Sequence, residues 1–377
     1  MLYLDNSATT KIHSEVLEAM LPYLQEEYGN PSSKFYSLAE NAKKAVSMAR
    51  EQVAHLLGCD PDEVVFTSGA TESNNMIIKG VADYYGYNED ASKYLLTSAA
   101  EHPSVLETFE FLGERGYTAH FLDVDSFARV NVQNVATVVN QEQPLLTSIM
   151  WGNNEVGSLN PIDELSRLFA TNGLFFHTDA TQVIGKVPVD LRKLSGIRFL
   201  SMSGHKIGGP KGVGAAIIRK QSKEIYTRLT PLLHGGGQEN NYRSGTLAVH
   251  NIVGLGKAAE LASQNLENNT QRLTQLENYL INILKTNLGD KITFNSDTHD
   301  KIPGLISLQF IGVNNELLLK KLSSFIALSS GSACSSSKPS HVLSASGKSL
   351  EEVRQTIRIT LSADLNEREL DLFREIK

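Results

Sequence analysis

The sequence predicts an α/β fold, a mostly parallel central sheet with a smaller α/β unit beside it, on three observations. Short β-rich runs alternate with helix-length segments between residues 64 and 218. Two of those runs pass directly into glycine-containing turns rich in polar side chains, the place where ligands of parallel sheets bind. Beyond Thr246 the texture changes to one long polar-and-leucine helical stretch followed by shorter strands.

In chain order, Ser14 precedes Val16, Leu17, Met20, Leu21 and Leu24, a helical spacing with a capping residue in front and Gly29 behind. A second helix runs through Ala42, Val46, Ala49, Val53 and Leu56 and stops at Gly58. Strands are expected at residues 64–67, 94–97, 145–150, 174–178, 197–202 and 213–218, and the long helix continues to about Leu284. Shorter strands at 292–295, 305–310 and 357–361 complete the second unit. The expected division is a large domain over 14–256 and a small one made of 1–13 with 257–377. Residues 329–337, rich in serine and glycine, read as a loop.

Bulk properties narrow the function classes. A chain of 377 residues exceeds the size at which one core stops growing. No apolar run approaches a membrane span, and the first residues lack a secretory pattern, so a cytosolic protein is expected. A net charge of −7 offers no broad basic surface, so direct nucleic-acid binding is not expected. The two cysteines, Cys59 and Cys334, make no disulfide framework and belong to no Cys/His cluster of the zinc type. If either matters, it matters as a thiol.

Three turns carry chemistry. Ser203-Gly204-His205-Lys206 places a lysine at a strand end, where its amine can condense with an aldehyde cofactor. His177-Thr178-Asp179 ends another strand with a carboxylate able to pair with a protonated pyridine nitrogen. The turn from Thr67 to Thr71 opens a helix, where backbone amides and hydroxyls can cradle a phosphate. Read alone, Lys206 also fits a surface turn and Asp179 a helix cap.

Together these segments resemble the fold-type-I, class V pyridoxal-phosphate enzymes and, within them, the NifS/IscS-like cysteine desulfurases. The resemblance runs from Leu4-Asp-Asn-Ser-Ala-Thr-Thr10 through Gly29-Asn-Pro-Ser-Ser33, Thr67–Ser73, Glu101-His102 and Asn153-Asn-Glu-Val-Gly157. It continues through the Asp179 and Lys206 motifs, His234-Gly-Gly-Gly237 and Arg243-Ser-Gly-Thr246 to Ser329-Ser-Gly-Ser-Ala-Cys334 and Ile357-Arg358. It implies a homodimer that binds pyridoxal 5'-phosphate, converts L-cysteine to L-alanine and passes persulfide sulfur to a protein acceptor, for iron-sulfur assembly or for tRNA or DNA sulfur modification.

By that resemblance Lys206 holds the cofactor and shuttles protons, Asp179 pairs with the pyridine nitrogen, Gln182 donates to the ring hydroxyl and His102 stacks on the ring. Thr71, Ser203 and His205 match the phosphate cup, and Thr246 matches a residue reaching the phosphate of the other subunit. Asn154 and Arg358 match the pair that fixes the substrate carboxylate, a task suited to arginine's planar fork. Cys334, in its Ser/Gly setting, matches the sulfur-accepting thiol, whereas Cys59, beside a helix end, reads as an inert buried hydrophobe. Departures from the pattern are Lys34-Phe35 in place of a usual histidine, Gly208 in place of a common tyrosine and Gln238 in place of a common histidine.

Overall fold

The computed structural model describes residues 1–88, 91–222, 225–331 and 339–375. In chain order the main elements are β1 (Leu2–Tyr3), α1 (Ser14–Gln25), α2 (Ser37–Leu57), β2 (Val64–Thr67), α3 (Ala70–Tyr85), β3 (Tyr94–Ser98), α4 (Pro103–Gly113) and β4 (Thr118–Leu122). Next come α5 (Val132–Glu142), β5 (Leu146–Ser148), α6 (Ile162–Asn172), β6 (Phe176–Asp179), β7 (Ile197–Ser203) and β8 (Gly214–Ile218). The remainder is α7 (Val249–Leu288), β9 (Ile292–Phe294), β10 (Leu305–Phe310), α8 (Asn315–Leu322), β11 (Ile326–Ala327), α9 (His341–Ala345), α10 (Leu350–Val353) and β12 (Thr356–Thr360).

Seven strands form one sheet in the order β2-β8-β7-β6-β5-β3-β4. All neighbours are parallel except β8, which runs antiparallel to both β2 and β7. The alternation of side chains along each strand sorts them onto two apolar faces. Val65, Phe199, Ala216 and Ile218 pack with α3 and α4, while Phe66, Leu200, Ala215 and Ile217 pack with α2, α6 and the start of α7. Helices therefore cover both sides of the sheet, as its near-continuous apolar strands require. α2 turns its buried Ala42, Val46, Ala49 and Val53 to this core and ends at Gly58, whose φ of +65° is the left-handed conformation that glycine adopts without a Cβ penalty.

A separate antiparallel sheet, β12-β10-β9, gathers Ile306, Leu308, Ile357 and Ile359 with Leu276, Leu280 and Leu284 of the second half of α7. α7 thus packs at one end against α1 and α2 and at the other within the second core. The N-terminal β1 pairs with β11, so the chain starts in this second unit and then crosses to the first. Residue 256, the expected boundary, lies inside α7. The helix expected to be capped by Ser14 is capped by His13, whose ring accepts the Glu15 amide.

Candidate active site

β2, β3, β5, β6 and β7 all point the same way, so their carboxyl ends open on one edge of the sheet. Each hands its next residues to a single cavity of about 900 Å³. Thr71 follows β2, His102 follows β3, Asn154 follows β5, Asp179 ends β6 with Gln182 just beyond, and Ser203 ends β7 with His205 and Lys206 after it; all line this cavity. Among the described residues, Ser7, Ala8 and Thr9 of the N-terminal segment and Pro339, His341 and Arg358 of the second unit also line it. Thr246 is exposed and is not among the lining residues, and Cys334 lies outside the described residues.

One end of the cavity is built to take an anion. α3 begins at Gly69 without a side-chain cap, so its first-turn amides have no partner inside the helix. Residues 68–72 line the cavity beside Ser203, His205 and Lys211. Helix dipole, free amides and hydroxyls there suit a phosphate. His205 is fixed by a 3.1 Å contact between Nδ1 and the Thr9 hydroxyl, and burial together with Lys206 and Lys211 pulls its pKa down to about 4.

Asp179 lies deeper, 5% exposed. One carboxylate oxygen accepts from the Asn74 amide at 2.8 Å and the other from the Thr181 backbone amide at 3.0 Å, so the side chain has a set direction. Asn74 also donates to the Ser104 hydroxyl at 2.9 Å, and that hydroxyl contacts His102 Nδ1 at 2.8 Å. A single chain of contacts therefore aligns Asp179 and His102. Burial lowers the His102 pKa, and Lys206 acts in the same sense against the opposing pull of Asp179.

The Lys206 amine donates to the carbonyls of Ser7 and of Ala8, the latter at 2.7 Å. Ser7 also accepts the Gln182 amide at 2.9 Å, so the segment after β1 holds two expected cofactor contacts at once. Behind Gln182 the ammonium of Lys186 is buried, and burial followed by Lys206 and Arg358 lowers its pKa to about 7.

Among the described residues Arg358 is the largest fully buried side chain, 1% exposed at the middle of β12. Its Nη1 donates to the carbonyls of Asn154 at 2.7 Å and Gly331 at 3.3 Å, and Nη2 donates to Asp5 at 2.7 Å. Asn154 meets Arg358 through its main chain rather than its side chain. The Nε of Arg358 and the Thr181 hydroxyl are buried without a partner.

Several residues of this site carry no signal that singles them out in the sequence. Asp5, Ser7, Asn74, Ser104 and Thr181 are all of types common in any turn; Asp5 and Ser7 fall inside the Leu4–Thr10 motif without any spacing that gives them a role, and what marks Asp5, Ser7 and Asn74 is a partner distant in the chain. The preference of Asn74 for the buried face of α3 is the one trace a helical pattern leaves.

The donor set fits pyridoxal phosphate. An anion cradle, a lysine amine and an oriented carboxylate face one cavity, which a buried arginine with an unpartnered N–H also lines.

Comparison with known proteins points the same way. The family model of the class V aminotransferases matches residues 2–373. A cysteine desulfurase IscS of Dictyoglomus turgidum is 42% identical over 363 residues, covering 96% of this chain and 89% of the relative. A solved NifS-like protein superposes with a TM-score of 0.91 at 36% identity, covering 100% of this chain and 97% of its own. A structure described as SspA in complex with cysteine gives 0.84 at 35% identity, covering 96% and 99%.

Proposed function

The chain belongs to the class V aminotransferase family as one of its cysteine desulfurases, and from that premise we propose that it transfers sulfur from L-cysteine to Cys334 on pyridoxal phosphate bound at Lys206. The observation that carries the reading is the meeting of the Lys206 amine, the Asp179 carboxylate and the Arg358 guanidinium in one cavity. The reaction balances without an added oxidant: the substrate C–S bond breaks, an S–S bond forms on Cys334, and the carbon takes up a proton to give L-alanine.

Pyridoxal phosphate, when bound, supplies an electron sink that makes the bonds around the substrate α-carbon labile. The residues of the chain do the rest. The cup of Thr71, Ser203 and His205 with the α3 amides would hold the phosphate, and Asp179 would keep a proton on the ring nitrogen. Gln182 would donate to the ring oxygen, and His102 would lie against the ring. The Lys206 Nζ, held by the Ser7 and Ala8 carbonyls, carries protons to and from the substrate carbons. Arg358 grips the substrate carboxylate, with the Asn154 carbonyl fixing the guanidinium.

The reading places sulfur on Cys334 because its Ser/Gly setting resembles that of the NifS/IscS-like desulfurases, and the other cysteine is the poorer candidate. Attack on sulfur needs a thiolate. Burial, with Glu63 next, pushes the Cys59 thiol up to about 12, which disfavours its thiolate at neutral pH. The further expectations are a cytosolic homodimer in which Thr246 reaches the phosphate of the partner subunit, a large domain over 14–256, and delivery of sulfur to a protein acceptor.

Protein treated with L-cysteine and analysed by mass spectrometry without reductant should carry one extra sulfur on the peptide containing Cys334. Cys334→Ser should bind the cofactor yet release alanine far more slowly. Extra sulfur on Cys59, or alanine release by Cys334→Ser at the wild-type rate, would show that the chain is a lyase or aminotransferase of the same fold.

A further inference from the structure

We propose that Asp5 is a positioning residue for the substrate carboxylate, acting through Arg358; the proposal rests on the desulfurase reading. A guanidinium carries five N–H donors. Three are engaged here: two on Nη1 by the carbonyls of Asn154 and Gly331, and one on Nη2 by Asp5. What remains is Nε, buried without a partner, and the second N–H of Nη2. Nε and Nη2 lie side by side along one edge of the plane, and two parallel N–H groups of that kind bind a carboxylate bidentately. Asp5 and the two carbonyls thereby fix the plane of the guanidinium.

Burial makes the anchor necessary. A lone buried guanidinium is strongly unfavourable, and removing the partner of a buried charge is correspondingly costly. The Asn154 and Gly331 carbonyls bring no net charge, and Asp5 is the carboxylate paired with Arg358 among the described residues. Glu155, which also lines the cavity, is engaged by Ser340, and burial raises its pKa, favouring its neutral form.

The backbone holds this pair in register. Asp5 bridges to Thr360, two residues along β12 from Arg358, and the Thr360 amide donates to the Leu4 carbonyl at 2.7 Å. Residues 5 to 8 then continue to the large unit, where the Ser7 carbonyl accepts from both Gln182 and Lys206. One short segment therefore touches the group that grips the carboxylate and the amine at the reacting end. Asp5 sets where the carboxylate sits relative to Lys206 without touching the substrate.

A positioning role of this kind has a signature that loss of general stability lacks: it depends on the ligand's own carboxylate. The test uses holoenzyme, with ligand affinity read from the visible absorbance of the bound cofactor and KM and kcat from alanine release. In Asp5→Asn and Asp5→Ala the KM for L-cysteine and the apparent dissociation constant for L-alanine should rise about tenfold, with a smaller change in kcat, as loss of a charge-assisted contact predicts. The affinity for cysteamine, which lacks the carboxylate, should stay at the wild-type value, and Asp5→Glu should recover part of the loss. An unchanged KM in Asp5→Asn, an equal loss for cysteamine, or failure of Asp5→Asn to retain cofactor would overturn the proposal. Wild-type protein that makes no alanine from L-cysteine would instead overturn the desulfurase reading on which it rests.

Discussion

Gly214 tests whether the phosphate end of the cavity depends on backbone packing behind it. It opens β8, paired with Thr67 of β2 on one side and Ser203 of β7 on the other, so it sits between the two strand ends that form the cup. A Cβ at this position would lie 2.7 Å from Gly69 Cα and 3.0 Å from Gly69 C, and closer still to the Met202 carbonyl. Ordinary contact begins near 3.4 Å, so the shortfall against Gly69 is about 0.7 Å, and all three atoms are main chain that no rotamer change can remove. Overpacking of this size costs roughly 1–3 kcal/mol. Gly69 caps α3, so the relief available is displacement of the turn whose amides face the phosphate. If the cost falls on the cofactor-bound form, Gly214→Ala should weaken pyridoxal phosphate binding roughly 5- to 150-fold. The assay is an absorbance titration of apoprotein with the cofactor, beside thermal unfolding. Gly113→Ala is the control, since a Cβ there meets nothing within 4 Å. Cofactor affinity within twofold of wild type, with an unchanged unfolding midpoint, would refute the packing account.

Lys206→Ala should abolish multiple-turnover alanine formation while leaving weak cofactor binding through the cup and Asp179, measured by amino-acid analysis and by gel filtration of the loaded protein. Arg358→Lys keeps the charge and loses the fork, so the KM for L-cysteine should rise about ten- to a hundredfold in steady-state assays, and an unchanged KM would remove Arg358 from carboxylate binding. Stability should fall on acidification below the ordinary histidine range near 6.5, because burial depresses the His177 pKa and pulls that of His205 to about 4. The unfolded chain then binds protons that the folded chain refuses, so the stability present above 6.5 is lost towards pH 4. Denaturant unfolding across that window should show the slope, and His177→Asn should flatten it.

The architecture was legible wherever burial leaves a pattern. The apolar runs at β2, β7 and β8 are buried along nearly their whole length, so each reads as a strand to within a residue or two. β4 was not legible, because at the sheet edge only Leu122 of its five residues is buried and Thr118–Leu122 shows no apolar run. Strand order and the reversed direction of β8 are set by pairings between distant segments, which no local spacing encodes. The same holds for β1, two residues long and paired with a strand more than 300 residues away.

Legibility of the site followed a different rule. Asp179 ends a strand and Lys206, His102 and Thr71 follow one within a few residues, so a motif together with a strand end is enough to nominate them, and the structure places all four around one cavity. The residues that hold them are read only from their partners. Asn74 matters because it bridges Asp179 and Ser104, and Ser7 because its carbonyl meets Gln182 and Lys206. Asp5 matters because a guanidinium 353 residues away is buried beside it. A short polar side chain has the same local spacing whether it caps a turn or orients a reacting group, and the difference lies in the desolvation around it. Cys59 shows the converse: a reactive residue type half-buried against the large apolar core has its thiol pushed up to about 12 by burial, with Glu63 next, so residue type alone did not make it a candidate.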